Sequence, residues 1–354
     1  IPVHPSSFGS LHDRACEIFY ELKGGKIDYG KEHSRKYCHS QFGLYYEGVL
    51  KEWNEEKPIV LIGKGYGAQT ILYLQYLLAI DFFKCQSNDK WIKAVITIEG
   101  SLRGSTLPYV LGLKPFTKSV IHPISILQLI LSLIHLLLYF NLPVIYLFGL
   151  QLMNYYWNLS KKQQSSFWCA LIGRSSYSNL EDNFIYDYSL EGAAWHSKLY
   201  PISSNCIYLN YVISNSMKSK ITGYHLPRPS QFKRFLLSWF LGRFQFIHND
   251  LNEYEELTKY WPNNGLVPTI CQLPPKHHPN QFKLELHNKI LDPILYSMEL
   301  GKWHTIFTCQ QNMRLFQSQQ QFYESNIKNT YQFYLQYHLD PFYLLIMETI
   351  EQCL

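Results

Sequence analysis

The sequence predicts an α/β fold built on a parallel sheet, and two neighbouring stretches carry that prediction. The first is Lys57–Thr70. Its apolar run, Pro58 to Ile62, has the composition of a buried strand. Gly63, Gly65 and Gly67 then turn the chain, and Gln69 to Ile80 continues as a helix with Ile71, Leu74, Leu77 and Leu78 on one face. The second is another apolar run, Ile92 to Ile98. Strand and helix thus alternate through 58–100, the order expected of a parallel sheet covered by helices.

The turn itself has a chemical reading. Strand, tight glycine turn and helix is the layout of a nucleophile elbow, in which G-x-S-x-G presents a serine at the top of a hydrolase sheet. Here the five residues are Gly63-Lys64-Gly65-Tyr66-Gly67. The frame is present, but its centre is a glycine, which has nothing to attack with. The same stretch therefore points to a hydrolase fold and argues against hydrolase chemistry. Gly63, Gly65 and Ala68 also fit the dinucleotide pattern G-x-G-x-x-G/A. That pattern needs an acid at the end of the second strand about 20 residues on. The second strand ends at Glu99, well beyond that distance, so this reading ranks lower.

With 354 residues, 47% of them hydrophobic, the chain can bury one large core. Internal repeats and low-complexity linkers are absent, so residues 1–354 are expected to form a single domain. The net charge of +5, without a Lys/Arg run, excludes a nucleic-acid partner. Eight scattered cysteines with no C-x-x-C pair suit buried thiols in a reducing compartment better than a disulfide set. The chain begins at Ile1 without a signal peptide or basic leader, as expected of a processed or incomplete chain. The expected location is intracellular and membrane-associated, with secretion the alternative; the sequon at Asn158 does not decide between them.

Residues 1–56 are polar and rich in Gly, Tyr and His, and 101–113 form a glycine-containing loop. The most apolar segment is Ile124–Met153. Its first half, Ile124 to Phe140, carries Ser125, Gln128, Ser132 and His135 as one polar stripe on an otherwise aliphatic helix. Asn141 to Pro143 breaks that helix, and Leu142 to Trp157 reads as a second. A bilayer span needs about 20 apolar residues, so a hairpin over 121–158 is expected instead. It would cap a pocket, meet a partner, lie in a membrane interface or pack in the core. Cys206–Val212 and Leu266–Leu273 are predicted strands, and Pro341–Cys353 a closing helix.

One further constellation is chemical. His33 and His39 lie six apart, with Asp13 twenty before His33, and such groups suit zinc if a fourth ligand joins them. Fourteen histidines make chance pairs common, so spacing alone is weak. The surrounding residues say more. Asp13-Arg-Ala-Cys-Glu17, the G-G-x-x-D-Y-G run from Gly24, the His33/His39 pair and the following Phe42-Gly43 resemble the zinc-containing lipases of thermophilic bacteria and their fungal relatives. The similarity is nearly ungapped over 5–48. It resumes at 58–70 and 104–107, then at Tyr186–Gly192, Asn263–Val267 and Gly301–Trp303.

The resemblance implies an α/β-hydrolase fold with a zinc-binding insertion over 12–48 and an apolar lid hairpin over 121–158. It implies a structural zinc held by Asp13, His33, His39 and Asp187. His12 departs from the bacterial members, which carry Trp there. At the catalytic positions the resemblance gives the opposite result. The family's serine falls on Gly65, its aspartate on Asn264 and its histidine on Met313, with His304 the nearest spare imidazole. Each loss removes a separate role: attack, proton transfer, and orientation of the base. Losing the serine or histidine alone costs about a millionfold in a comparable hydrolase. Ser101 and Ser105 are nearby loop serines outside any elbow. Leu315 falls where the bacterial calcium site has a glutamate. The chain also starts after the family's first central strand, which carries part of the oxyanion hole.

The expectation is a catalytically inactive lipase-like protein with no catalytic residues and zinc as its one cofactor. It would bind lipid, a membrane surface, or a protein partner through Ile124–Met153, the last as a subunit of a membrane assembly. The alternative is an active serine esterase or triacylglycerol lipase with a relocated triad.

Overall fold

The computed structural model describes residues 1–115, 117, 120–150, 152–153, 167–172, 181–245, 257–278, 281–285 and 299–308. Helix α1 (Leu11–Lys23) comes first. Ser10 caps it, accepting from the Asp13 amide at 3.2 Å, and Gly24 at φ +94° ends it. Leu11, Ala15, Ile18, Phe19 and Leu22 recur at helical spacing and are all buried. Strands β1 (Gly25–Asp28) and β2 (Phe42–Tyr46) pair antiparallel around helix α2 (Lys31–Tyr37).

The central unit follows: β3 (Ile59–Lys64), α3 (Tyr66–Ala79) and β4 (Ile92–Ile98). A long excursion then carries α4 (Leu107–Leu111), α5 (Ile126–Phe140), α6 (Phe167–Leu171), α7 (Phe184–Asp187) and α8 (Leu190–Ser197). The chain returns as β5 (Ile207–Ile213). It makes the hairpin β6 (Ser216–Lys218) and β7 (His225–Pro227), then α9 (Phe235–Leu241), β8 (Gln281–Glu285) and β9 (Trp303–Thr308). The main sheet has the order β3-β4-β5-β9-β8, with every pairing parallel. Six of the seven β4 residues are buried, as expected of a strand covered on both faces. Helix α3 lies against β3 and β4 and packs on α1, so the polar-looking N-terminal region supplies part of the main core.

Because the strands are parallel, everything inserted at their carboxyl ends gathers at one end of the sheet. The glycine turn follows β3, the α4–α8 excursion follows β4, and the β6–β7 hairpin with α9 follows β5.

The observed β4 bounds are the predicted ones, while α3 begins three residues earlier than its apolar pattern and β5 lies one residue later. Two expectations fail. Leu266–Leu273 is not a strand: the Asn264 Oδ1 accepts from the Leu266 and Val267 amides at 3.0 and 2.8 Å, and Thr269–Gln272 winds into a 3₁₀ turn. The second hairpin helix fails only in its first part: Pro143–Phe148 is a 3₁₀ segment ended by Gly149 at φ +63°, and the described residues Leu150, Leu152 and Met153 beyond it are α-helical. The polar stripe of α5 is buried in part, with Gln128 and Ser132 half-buried. Ser125 is spent as the N-cap and His135 is buried, while Ile126, Leu129 and Leu133 point outward. No helix of the described residues is long and apolar enough to cross a membrane. The predicted helix Pro341–Cys353 and Leu315 lie outside the described residues.

Two glycines of the turn differ in what they tolerate. A Cβ on Gly63 would meet the Gly67 carbonyl oxygen at 2.6 Å and the Ala68 Cα at 2.7 Å, whereas one on Gly65 would have no atom within 4 Å. In urea unfolding, Gly63→Ala is expected to lose about 3 kcal/mol. Gly65→Ala, strained only by its φ of +56°, is expected to lose about 1 kcal/mol.

Candidate metal centre and catalytic turn

Asp13 in the first turn of α1, His33 on α2, His39 just beyond it and Asp182 just ahead of α7 converge. One ligand atom from each lies within 4.8 Å of the other three. His33 Nε2 stands 3.3 Å from Asp13 Oδ1 and 3.2 Å from Asp182 Oδ2, and His39 Nε2 stands 3.6 Å from Asp182 Oδ2. Both carboxylates are buried.

The surroundings orient these groups for a cation. The Asp13 Oδ2 accepts from the Ser10 hydroxyl at 2.8 Å, which leaves Oδ1 to the centre. His39 Nδ1 donates to the Ser40 carbonyl at 2.9 Å, so the lone pair of its Nε2 faces inward. His12, where the resembling bacterial family carries Trp, stacks flat on His33 with centroids 3.7 Å apart. Its Nε2 donates to the Tyr29 carbonyl at 2.8 Å. Burial, reinforced by the neighbouring His33, pushes His12 down to about 3, so it adds no charge.

The electrostatics show what the centre lacks. Burial and the Asp13 charge push Asp182 above the usual carboxylate range. Burial also opposes the Asp13 charge, but the hydrogen bond from His33 and the nearby imidazoles outweigh it and hold Asp13 low. Burial disfavours protonated His33, yet the two aspartates override it and raise His33 to about 10. Two buried carboxylates thus draw a positive charge to their midpoint. Two imidazole nitrogens and two carboxylate oxygens are a donor set that fits a divalent metal.

The aspartate from α7 is a correction to the sequence reading. The structure brings Asp13, His33 and His39 together with Asp182, not with Asp187. Asp187 sits five residues on, in the last turn of α7, and faces the other side of α1. Its Oδ2 accepts from the Leu11 amide at 2.7 Å and the Tyr66 hydroxyl at 3.2 Å, and its Oδ1 lies 2.6 Å from His196 Nε2. Both aspartates reach the first turn of α1, one at Asp13 and one at Leu11. The Y-D-x-S context could not separate them; the acidic pair Glu181-Asp182 just ahead of it was the available signal.

The turn after β3 keeps an elbow's backbone. Gly65 has φ +56° and ψ −121°. Its amide donates to the Ile98 carbonyl at 3.0 Å, and its own carbonyl accepts from the Ser101 amide at 3.1 Å. Asn264 is buried, with its Oδ1 closing the loop described above. Ser101 Oγ lies 3.3 Å from the Gly65 carbonyl oxygen, and Ser105 Oγ donates to the Leu266 carbonyl at 2.7 Å. Both hydroxyls thus serve backbone.

His304 is placed in strand β9, in register through Leu209 and Ile96 with Ile62. It is therefore three residues below Gly65 and three strands away, roughly 17 Å by strand spacing. Its Nε2 accepts from the Glu299 amide at 3.0 Å. Met313 lies outside the described residues. Glu99, the acid of the dinucleotide alternative, is instead held between Lys64 Nζ at 3.8 Å and Arg234 at 3.5 Å.

Comparison with known proteins fits this architecture. Residues 3–83 match the family model described as "Lipase-like, C-terminal domain". The chain is 26% identical over 295 residues to a lipase of Staphylococcus hyicus, covering 78% of this chain and 42% of the relative. It is 29% identical over 225 residues to lipase 1 of Staphylococcus aureus strain MRSA252, covering 58% and 31%. The chain therefore spans less than half the length of these relatives. Among solved structures, the Staphylococcus hyicus lipase superposes with a TM-score of 0.65 at 24% identity, covering 86% of this chain and 74% of that one. EstA from Clostridium botulinum gives 0.62 at 24% identity, covering 86% and 70%. These superpositions speak to the fold, and the sequence matches to descent: the chain is a homologue of the staphylococcal lipases.

Proposed function

We propose that this chain is a catalytically inactive lipase-like protein whose fold is fixed by zinc and which binds lipid at an interface. The observation that carries the reading is a contrast between two sites. Glycine stands at position 65 in backbone that turns as an elbow, while four groups able to ligate a metal converge at the first turn of α1. Asn264, where the resembling family has its acid, holds a loop together and carries no charge to orient a base. Zinc bound by Asp13, His33, His39 and Asp182 would have its four ligands filled, which suits a structural ion. It would join α1, α2 and the segment before α7.

Lipid binding is supported by the relatives, which are named lipases, and by the outward face of α5 and α6. That face presents Leu129, Leu133 and Trp168, each more than half exposed. Such a patch marks an interaction surface. A lipid interface is the occupant proposed; a protein partner across Ile124–Met153 is the alternative. The rival function, an active serine esterase or triacylglycerol lipase with a relocated triad, is supported by the same relatives.

Purified protein is expected to carry about one zinc per chain by mass spectrometry. Asp182→Asn should lose the metal, and Asp187→Asn should keep it despite lower stability. The reverse result would restore Asp187 as the ligand. Chelation should lower Tm by about 10 °C. Zinc must displace the proton of His33, so affinity should rise about tenfold per pH unit between roughly pH 6 and 8.

Short- and long-chain esters should show no turnover above buffer, and a fluorophosphonate probe should label no serine. Covalent labelling of any serine would establish the rival.

A further inference from the structure

We propose that the β6–β7 hairpin and helix α9 form a second docking surface, one that recognises an anionic lipid bilayer. The proposal rests on the lipid-binding reading above and names the surface chemistry that reading leaves open. From Gly192 to Asn249 the chain carries seven Lys and Arg and no Asp or Glu. Within that stretch two elements expose apolar side chains. The hairpin presents Met217 and, at its tip, Ile221, which is 95% exposed. On α9, Leu236 and Phe240 face outward opposite the buried Ser238 and Leu241. Leu236 and Phe240 lie four residues apart on α9 and so share one stripe, and Lys233 stands just ahead of the helix.

The cations sit among these apolar groups. Lys218, Lys220 and Lys233 are exposed and form no salt bridge among the described residues. Apolar side chains ringed by lysines that pair with no acid among the described residues suit the boundary between headgroups and acyl chains, where the lysine stems lie along apolar surface and their ammonium groups meet phosphate. A neutral apolar partner would gain nothing from those charges.

The two elements are joined firmly enough to act together. The Arg243 guanidinium lies 3.3 Å from the Trp239 ring centroid and 5.5 Å from that of Tyr224, and the His225 amide donates to the Gly242 carbonyl at 2.9 Å. Helix α9 also packs on α4, and α4 on α5. The basic surface and the aliphatic face of α5 therefore leave the same end of the sheet.

The test is co-flotation of the full chain with vesicles of phosphatidylcholine alone or mixed with phosphatidylserine. Binding should favour the mixed vesicles and weaken as salt rises. The combined variant Lys218→Gln, Lys220→Gln, Lys233→Gln should lower partition onto mixed vesicles roughly 100-fold, with its Tm and its binding to phosphatidylcholine unchanged. Equal binding of wild type and variant to mixed vesicles, or no preference for phosphatidylserine, overturns the surface proposed here. Loss of binding to both vesicle types in Leu129→Ser, Leu133→Ser, with the lysine variant indistinguishable from wild type, assigns lipid binding to α5 alone and overturns it too. Failure of the wild type to float with either vesicle removes the lipid reading itself, whereas ester turnover removes only the claim of inactivity.

Discussion

Two aspartates five residues apart close on a single helical turn, and the rest of the structure depends on that clamp. Asp182 faces Asp13 across the metal centre, while Asp187 takes the amide of Leu11 and the hydroxyl of Tyr66. Tyr66 directly follows Gly65, so the first turn of α1 couples the metal centre to the catalytic turn. The clamp is electrostatically expensive. Each buried carboxylate would cost several kcal/mol if left uncompensated. Asp187 meets that cost with three hydrogen-bonding partners. Asp13 and Asp182 share the imidazoles and, by their mutual repulsion, leave a demand for one more positive charge. A cation at that point removes the repulsion and the desolvation penalty together.

Parts of this were legible in the sequence and parts were not, for physical reasons. Strands β4 and β5 carry apolar runs that match their burial, and apolar runs also locate β3 and α5, although β3 leaves Ile62 exposed and α5 turns leucines outward. Helix α1 could not be read this way. It buries His12, Asp13 and Glu17 among its aliphatic residues, and a reading by hydropathy sees a polar segment. Glu17 shows how this is tolerated: burial raises it to about 8, while the Ser6 amide donates to it at 2.6 Å. Asp182 was missed because motif context fixes a segment and not the direction in which each side chain leaves a short helix. Leu266–Leu273 looked like a strand because its composition is apolar, but the amide-capturing side chain of Asn264 determines its path.

The turn after β3 shows how an elbow's backbone can stand with no side chain at its centre. In an active hydrolase the serine occupies a backbone conformation that costs an ordinary residue about 1–3 kcal/mol. Glycine adopts φ +56° without that strain. The turn keeps its structural duties, since the Gly65 amide and carbonyl still tie β3 to the end of β4 and to Ser101. At position 65 glycine presents no side chain and takes this backbone conformation without strain at the same time. Near the turn, the Glu99 carboxylate is held between Lys64 and Arg234.

The placement of the apolar and basic faces follows from topology more than from sequence. In a parallel sheet, every insertion after a strand emerges at the same end as the glycine turn that follows β3. An enzyme acting on an interface needs its substrate-facing surface at that end. Helix α5 still turns leucines toward solvent, although burying them would stabilise an isolated domain by about 25 cal/mol per Å². A chain released from surface contact would gain by exchanging Leu129 and Leu133 for polar residues. Leu129 and Leu133 stand on a helix whose other side is already buried, so the proposed interface would cover them without disturbing the core.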